Sequence, residues 1–110
     1  MNTSYFAKYK GENAVSIAGK YPDWFKGRQY KKLAPKYNFF QKYKLDGDEK
    51  YYTEQFQIQV LNKLDAKKVY EELGENAVLL CWEKSGKFCH RHLVAEWFQK
   101  ELGIEVNELK

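Results

Sequence analysis

Two cysteines, two prolines and one methionine are all that a chain of 110 residues holds of those types. Two cysteines, Cys81 and Cys89, are too few for a disulfide scaffold. Prolines and glycines are too sparse and too scattered to mark a flexible linker. No apolar run approaches the ~18 residues that a membrane-spanning helix needs. The opening residues, MNTSYFAKYKG, lack the apolar stretch of a secretory signal. A cytoplasmic protein is therefore the expectation. Several catalytic signatures are missing as well: a Gly-rich phosphate loop, a G-x-S-x-G elbow, and H-E-x-x-H. There is no Cys-x5-Arg phosphatase loop either, because Cys89 stands only two positions before Arg91. With no repeat and no low-complexity tract, residues 1–110 read as a single domain.

Aromatic rings and an uneven charge stand against these absences. Seven Phe, nine Tyr and three Trp make 17% of the chain aromatic. The net charge is +4. Residues 1–50 carry 11 Lys/Arg against 5 Asp/Glu, and residues 51–110 carry 8 against 10. Residues 20–44 concentrate both features, with eight cations, one acid (Asp23) and eight rings. Rings stack on bases while cations hold phosphates, so this stretch fits a nucleotide or nucleic-acid partner. The same rings also suit the core of a small domain, and the lysines then solvate its loop.

The elements follow from apolar spacing. AVSIAG, residues 14–19, is short, apolar and closed by glycine, and reads as a buried strand. Residues 20–44 contain two prolines and a glycine, which argues for a structured loop over a long helix. YTEQFQIQVLNKL, residues 52–64, spaces Phe56, Val60, Leu61 and Leu64 as a helical stripe, with Thr53 as a possible N-cap. DAKKVYEELG, residues 65–74, is a second helix, capped by Asp65 and ended by Gly74. AVLLCWE, residues 77–83, is the continuous apolar run of a strand buried on both faces. HLVAEWFQKELG, residues 92–103, is a helix and IEVNEL, residues 104–109, a last strand. These make a C-terminal βαβ unit. The expected fold is α/β, a small, mostly parallel sheet of three to four strands flanked by helices.

Ligands of open α/β sheets bind beyond the C-terminal strand ends. Two connections fall there. One is GKYPDWFKGR, which supplies Lys20 and Trp24. The other is EKSGKFCHR, which leads from Glu83 to Cys89, His90, Arg91 and His92. A helix that opens on an arginine between two histidines runs against its own dipole, whose positive end favours acids. An anion at the free backbone N–H groups would compensate, and so would Glu83 paired with Arg91. A thiol at a helix N-terminus beside cations is a candidate nucleophile, which makes Cys89 the first catalytic candidate. His90 is the acid–base candidate, or else a satisfied buried histidine. His92 falls on the Glu96/Gln99 face, toward solvent. Cys81, Cys89, His90 and His92 contain metal-ligating types, but C-x7-C-H-x-H matches no common zinc module and Cys81 lies within an apolar strand. No metal and no cofactor is assigned on sequence.

The run AVLLCWEKSGKFCHRHLVAEWF, residues 77–98, resembles the signature of the domain of unknown function 488 family. In that signature a strand ends Leu-Leu-Cys-aromatic-Glu, a short loop follows, and Cys-His-Arg opens a helix. These are Leu79, Leu80, Cys81, Trp82, Glu83, Cys89, His90 and Arg91 here. SIAGKYPDWFKGRQYKKLAP resembles the N-terminal part of a short branch of the family, and YTEQFQIQVLNKLD its central helix. The similarity covers roughly residues 14–109. It implies an α/β fold and a site around Cys89, His90, Arg91 and Glu83, and it implies no substrate.

Three functions fit these residues. In the first, a small anionic, phosphate- or nucleotide-like ligand binds at the Cys-His-Arg helix start. Arg91 and the helix N-terminus hold the anion, Trp24 or a neighbouring ring stacks on the organic part, Glu83 orients Arg91 or His90, and Lys20 and His92 complete the ligand-binding set. Turnover would then involve Cys89 or His90. In the second, residues 20–44 form a nucleic-acid-binding module. In the third, the domain binds another protein and Cys-His-Arg is a structural latch. Oligomeric state is open in all three.

Overall fold

A computed structural model describes residues 1–109. Five strands form one sheet: β1 (Asn2–Tyr5), β2 (Ala14–Ser16), β3 (Arg28–Gln29), β4 (Val78–Cys81) and β5 (Asn107–Glu108). Their order is β3-β2-β4-β1-β5, and every pairing is parallel. The sheet thus has one or two more strands than the apolar runs predict. The additions are β1, whose NTSY sequence carries no apolar pattern, and the two-residue β3. Both are held by ladder hydrogen bonds to strands the pattern does reveal. β1 lies between β4 and β5, so the C-terminal βαβ unit crosses over a strand from the other end of the chain.

β4 is the central strand and is buried throughout, as its unbroken apolar run requires. Strand alternation then divides the core. Val15 and Leu79, paired across the ladder, join Ile17 in the larger cluster. Ala14 and Val78, also paired, join Leu80 in a second cluster. The helices are α1 (Tyr37–Asp46), α2 (Glu49–Gln59), α3 (Ala66–Leu73) and α4 (His90–Leu102). All four bury residues in the larger cluster: Phe39, Phe56, Val69, and Val94 with Phe98. The second cluster is covered by loop side chains, among them Phe6, Tyr9 and Phe25.

The helix ends are chemically defined. Asp48 accepts from the Tyr51 backbone N–H and caps α2, so this helix starts three residues before the predicted one and Thr53 lies inside it. It stops at Gln59, after which Leu61–Lys63 form a 3-10 turn that buries Leu61. Asp65 caps α3 by accepting from the Lys67 and Lys68 N–H groups. α1 and α4 end at Gly47 and Gly103, both at φ 65°, a left-handed geometry that costs glycine little. α1 arises within the basic aromatic stretch, immediately after Pro35 and Lys36. The prolines limit its length without preventing it. No helix among the described residues is long and apolar enough to cross a membrane.

Candidate functional site

The C-terminal ends of β2 and β4 open into a cleft of about 860 Å³. Ala18, Gly19 and Lys20 border it after β2, and Cys81, Trp82 and Glu83 after β4. The start of α4 contributes Cys89 and His90, and the loop before it Lys87 and Phe88. The opposite wall comes from α1 and α2, with Tyr37, Phe40, Tyr43, Lys44, Glu49 and Tyr52. The rings brace one another. Tyr43 and Phe88 lie 5.2 Å apart, and Tyr52 meets Phe88 at 5.1 Å and Tyr43 at 5.2 Å, both edge-on. Burial, and next the neighbouring Tyr43, raise the Tyr52 phenol far above its ordinary pKa, so it is a neutral donor.

The basic aromatic stretch and the Cys-His-Arg helix start therefore share one cleft, through Lys20, Tyr37, Phe40, Tyr43 and Lys44 on one side and Cys89 and His90 on the other. Trp24 lies outside it. Its indole is half exposed, with the Lys10 ammonium 3.2 Å from the ring centroid. The neighbouring Phe25 packs edge-on to Phe6 in the second core cluster, and it does not line the cleft either. Trp82 is the indole at the cleft, where its N–H donates to the Lys20 carbonyl at 3.0 Å.

Arg91 is fully buried and does not line the cleft. Its guanidinium grips Glu108 through two bonds, Nε to Oε1 at 3.0 Å and Nη2 to Oε2 at 2.7 Å. Nη1 lies 3.0 Å from the Cys81 Sγ. The carboxylate that neutralises Arg91 is Glu108 of β5, whereas the exposed Glu83 lines the cleft. Glu108 also accepts from Thr3 on β1 at 2.6 Å and from Ser85 at 2.7 Å. Burial alone would raise the Glu108 pKa. The bonds from Arg91, Thr3 and Ser85 outweigh it and bring the carboxyl down to about 2. His92 is half-buried outside the cleft, its pKa lowered by burial and by Arg91.

His90 is buried, and its Nε2 sits 2.6 Å from the Ile17 carbonyl. A carbonyl only accepts, so Nε2 carries the proton and Nδ1 keeps a bare lone pair. Burial pushes the ring pKa down to about 4, against the bond to Ile17, so the imidazole is neutral near pH 7. Nδ1 faces the Cys89 Sγ at 3.8 Å. The structure joins the Cys89 and Cys81 sulfurs as a disulfide. A nucleophilic Cys89 thus requires the reduced pair.

The start of α4 is otherwise bare. Cys89, the N-cap residue, makes no side-chain cap bond, and the first turn holds no acid. Tyr43 lies in the basic aromatic stretch that the sequence marks, whereas Tyr52 and Phe88 are brought beside it by the packing of α2 and of the loop before α4. The local signal for Tyr52 is Tyr52-x-x-x-Phe56, an aromatic pair at helical spacing. Glu108 was visible only as a polar position in an alternating strand.

A parallel α/β domain with its cleft at the strand ends, walled by a Cys-His helix start, is the class this geometry defines. The chain matches the family model described as the active DUF488-N3 subclade over residues 8–102, and it belongs to the DUF488 family. No curated protein and no solved structure matches it.

Proposed function

We propose that the domain binds a small anionic ligand with an aromatic ring, of nucleotide type, in the cleft between α1, α2 and the α4 start. The observation that carries this is the joining of unpaired lysines and a braced set of rings in one cavity of ligand size. Its roughly 860 Å³ lies within the ~300–1,000 Å³ typical of small-molecule sites. Lys20, Lys44 and Lys87 border the cavity with no carboxylate partner among the described residues, against two acids, Glu49 and Glu83. The uncapped α4 N-terminus adds oriented N–H groups. Phosphate would sit toward the lysines and the α4 start, and the base against Tyr43, Phe88 or Trp82. Cys89 and His90 form the floor and are the residues from which any turnover would start. Arg91 acts as a latch: its charge is spent on Glu108, so it ties α4 to β5 and does not hold the ligand.

A nucleic-acid surface along residues 20–44 is the weaker reading. Arg28 donates to the Leu73 and Glu72 carbonyls, Lys32 pairs with Glu72, and Lys42 pairs with Asp46, so three of its eight cations are already engaged. A thermal-shift series with adenosine monophosphate, adenosine and inorganic phosphate tests the proposal. At equal concentrations the nucleotide should raise Tm more than either fragment, and at 100-fold excess over its Kd it should add about 2.7 kcal/mol of stability. No shift with any nucleotide, or an equal shift with a Lys44→Glu/Lys87→Glu variant, would overturn it.

A further inference from the structure

The geometry points to a metal site at Cys81, Cys89 and His90, for a zinc-type divalent cation with its fourth position open to the cleft. The inference stands independently of the cleft's organic ligand. One potential ligand atom from each residue lies within 4.8 Å of the others, and all three residues are buried. The sulfur–nitrogen spacing matches a tetrahedral ion, and the two sulfurs, bonded to each other here, would part on reduction to hold it. With Zn–S near 2.3 Å and Zn–N near 2.05 Å, a thiolate and an imidazole nitrogen on one zinc stand about 3.6 Å apart. His90 Nδ1 and Cys89 Sγ stand 3.8 Å apart.

The surroundings supply what such a ligand set needs. Metal-bound histidines usually donate their second nitrogen to a carbonyl or carboxylate, which fixes the tautomer. His90 Nε2 does this to Ile17, leaving Nδ1 without a protein partner apart from the sulfur. Arg91 Nη1 donates toward the Cys81 Sγ and would damp the charge of that thiolate. Two thiolates on a divalent cation are neutral, and the Arg91–Glu108 pair beside them is neutral too, so the buried assembly carries no excess charge. The Cα atoms of Cys81 and Cys89 are 7.2 Å apart, beyond the ~4.4–6.8 Å that disulfides usually span, and a bridging ion accommodates the wider frame. All three ligands border the cleft, so a bound ion would present its remaining position there. Three protein ligands and one open position are the pattern of catalytic zinc.

The metal form requires free thiols. A phosphine reductant supplies two electrons to the sulfur pair and becomes the phosphine oxide with an oxygen from water, whose two protons go to the thiols. Metal uptake then releases those two protons. The test adds Co2+ to the phosphine-reduced, chelator-stripped chain. The expected result is a thiolate-to-cobalt charge-transfer band that saturates at one equivalent, is bleached by Zn2+, and disappears in Cys81→Ser and Cys89→Ser. Cobalt or zinc should also slow maleimide labelling of both cysteines in the wild-type chain, a readout that needs no variant to fold. A reduced, folded wild-type chain that shows no such band, or a band that survives both substitutions, overturns the site. So does labelling of both thiols at an unchanged rate with metal present.

Discussion

Replacing Glu108 by Gln leaves the Arg91 guanidinium buried without its counter-charge. Arg91 has 0% side-chain exposure and Glu108 16%, and two hydrogen bonds join them. Removing one partner of such a pair costs roughly 3–5 kcal/mol. At ~2.1 cal/mol/K per residue, a chain of 110 residues loses about 4.3 °C of Tm per kcal/mol, so Glu108→Gln should melt roughly 13–22 °C lower. The pH dependence gives an independent figure. The Glu108 carboxyl moves from 4.5 to about 2 on folding. At about 1.36 kcal/mol per unit, that shift amounts to roughly 3 kcal/mol, an upper figure because part of the carboxylate meets water. A lowered carboxyl stabilises above its unfolded value. The contribution is therefore complete above about pH 4.5 and is lost as pH falls toward 2. Urea denaturation at several pH values should show this acid loss in the wild type and a smaller one in Glu108→Gln, where the lowered carboxyls of Asp46 and Glu72 remain. A variant within ~1 kcal/mol of wild type, with the same acid profile, would refute the pairing as the clamp between α4 and β5.

Arg91→Ala should lower Tm on a similar scale, yet leave nucleotide affinity within about threefold while the protein remains folded, measured by calorimetry at low temperature. Lys44→Glu or Lys87→Glu should each weaken adenosine monophosphate binding about thirtyfold, since one exposed charge at contact is worth about 1 kcal/mol and reversal counts it twice. Asp65→Ala, which removes the α3 cap, should cost about 1 kcal/mol in urea denaturation. Phe56→Ala should cost roughly 3–5 kcal/mol, because Phe56 of α2 is fully buried against Phe39 and His90.

Much of the fold was legible because local rules and packing agree. Asp65 and Gly74 bound α3 by cap chemistry, and AVLLC reads as a central strand because both of its faces are buried. β1 was not legible: NTSY is polar, and its strand state depends on pairing with β4 and β5. The site was half legible. Cys89, His90, Glu83 and Lys20 stand at strand ends, where α/β topology puts ligands, and they do border the cleft. The partner of Arg91 was not, because Glu108 is brought to it by a crossover over β1, a relation with no counterpart in sequence spacing. Trp24 was expected against the cleft on proximity to the first strand. Neither Trp24 nor Phe25 reaches the cleft, and the indole that borders it is Trp82. The Cys81–Cys89–His90 grouping escaped the zinc spacing rules because one ligand comes from a strand and two from the next helix start.

The central claim, a nucleotide-type ligand in the cleft between α1, α2 and the α4 start, is tested most directly by titrating adenosine monophosphate into isotope-labelled protein and following backbone amide resonances. The account predicts saturable shifts concentrated at residues 18–20, 43–44 and 87–90. Unmoved resonances throughout, or shifts confined to the outer lysines of residues 26–36, would contradict it.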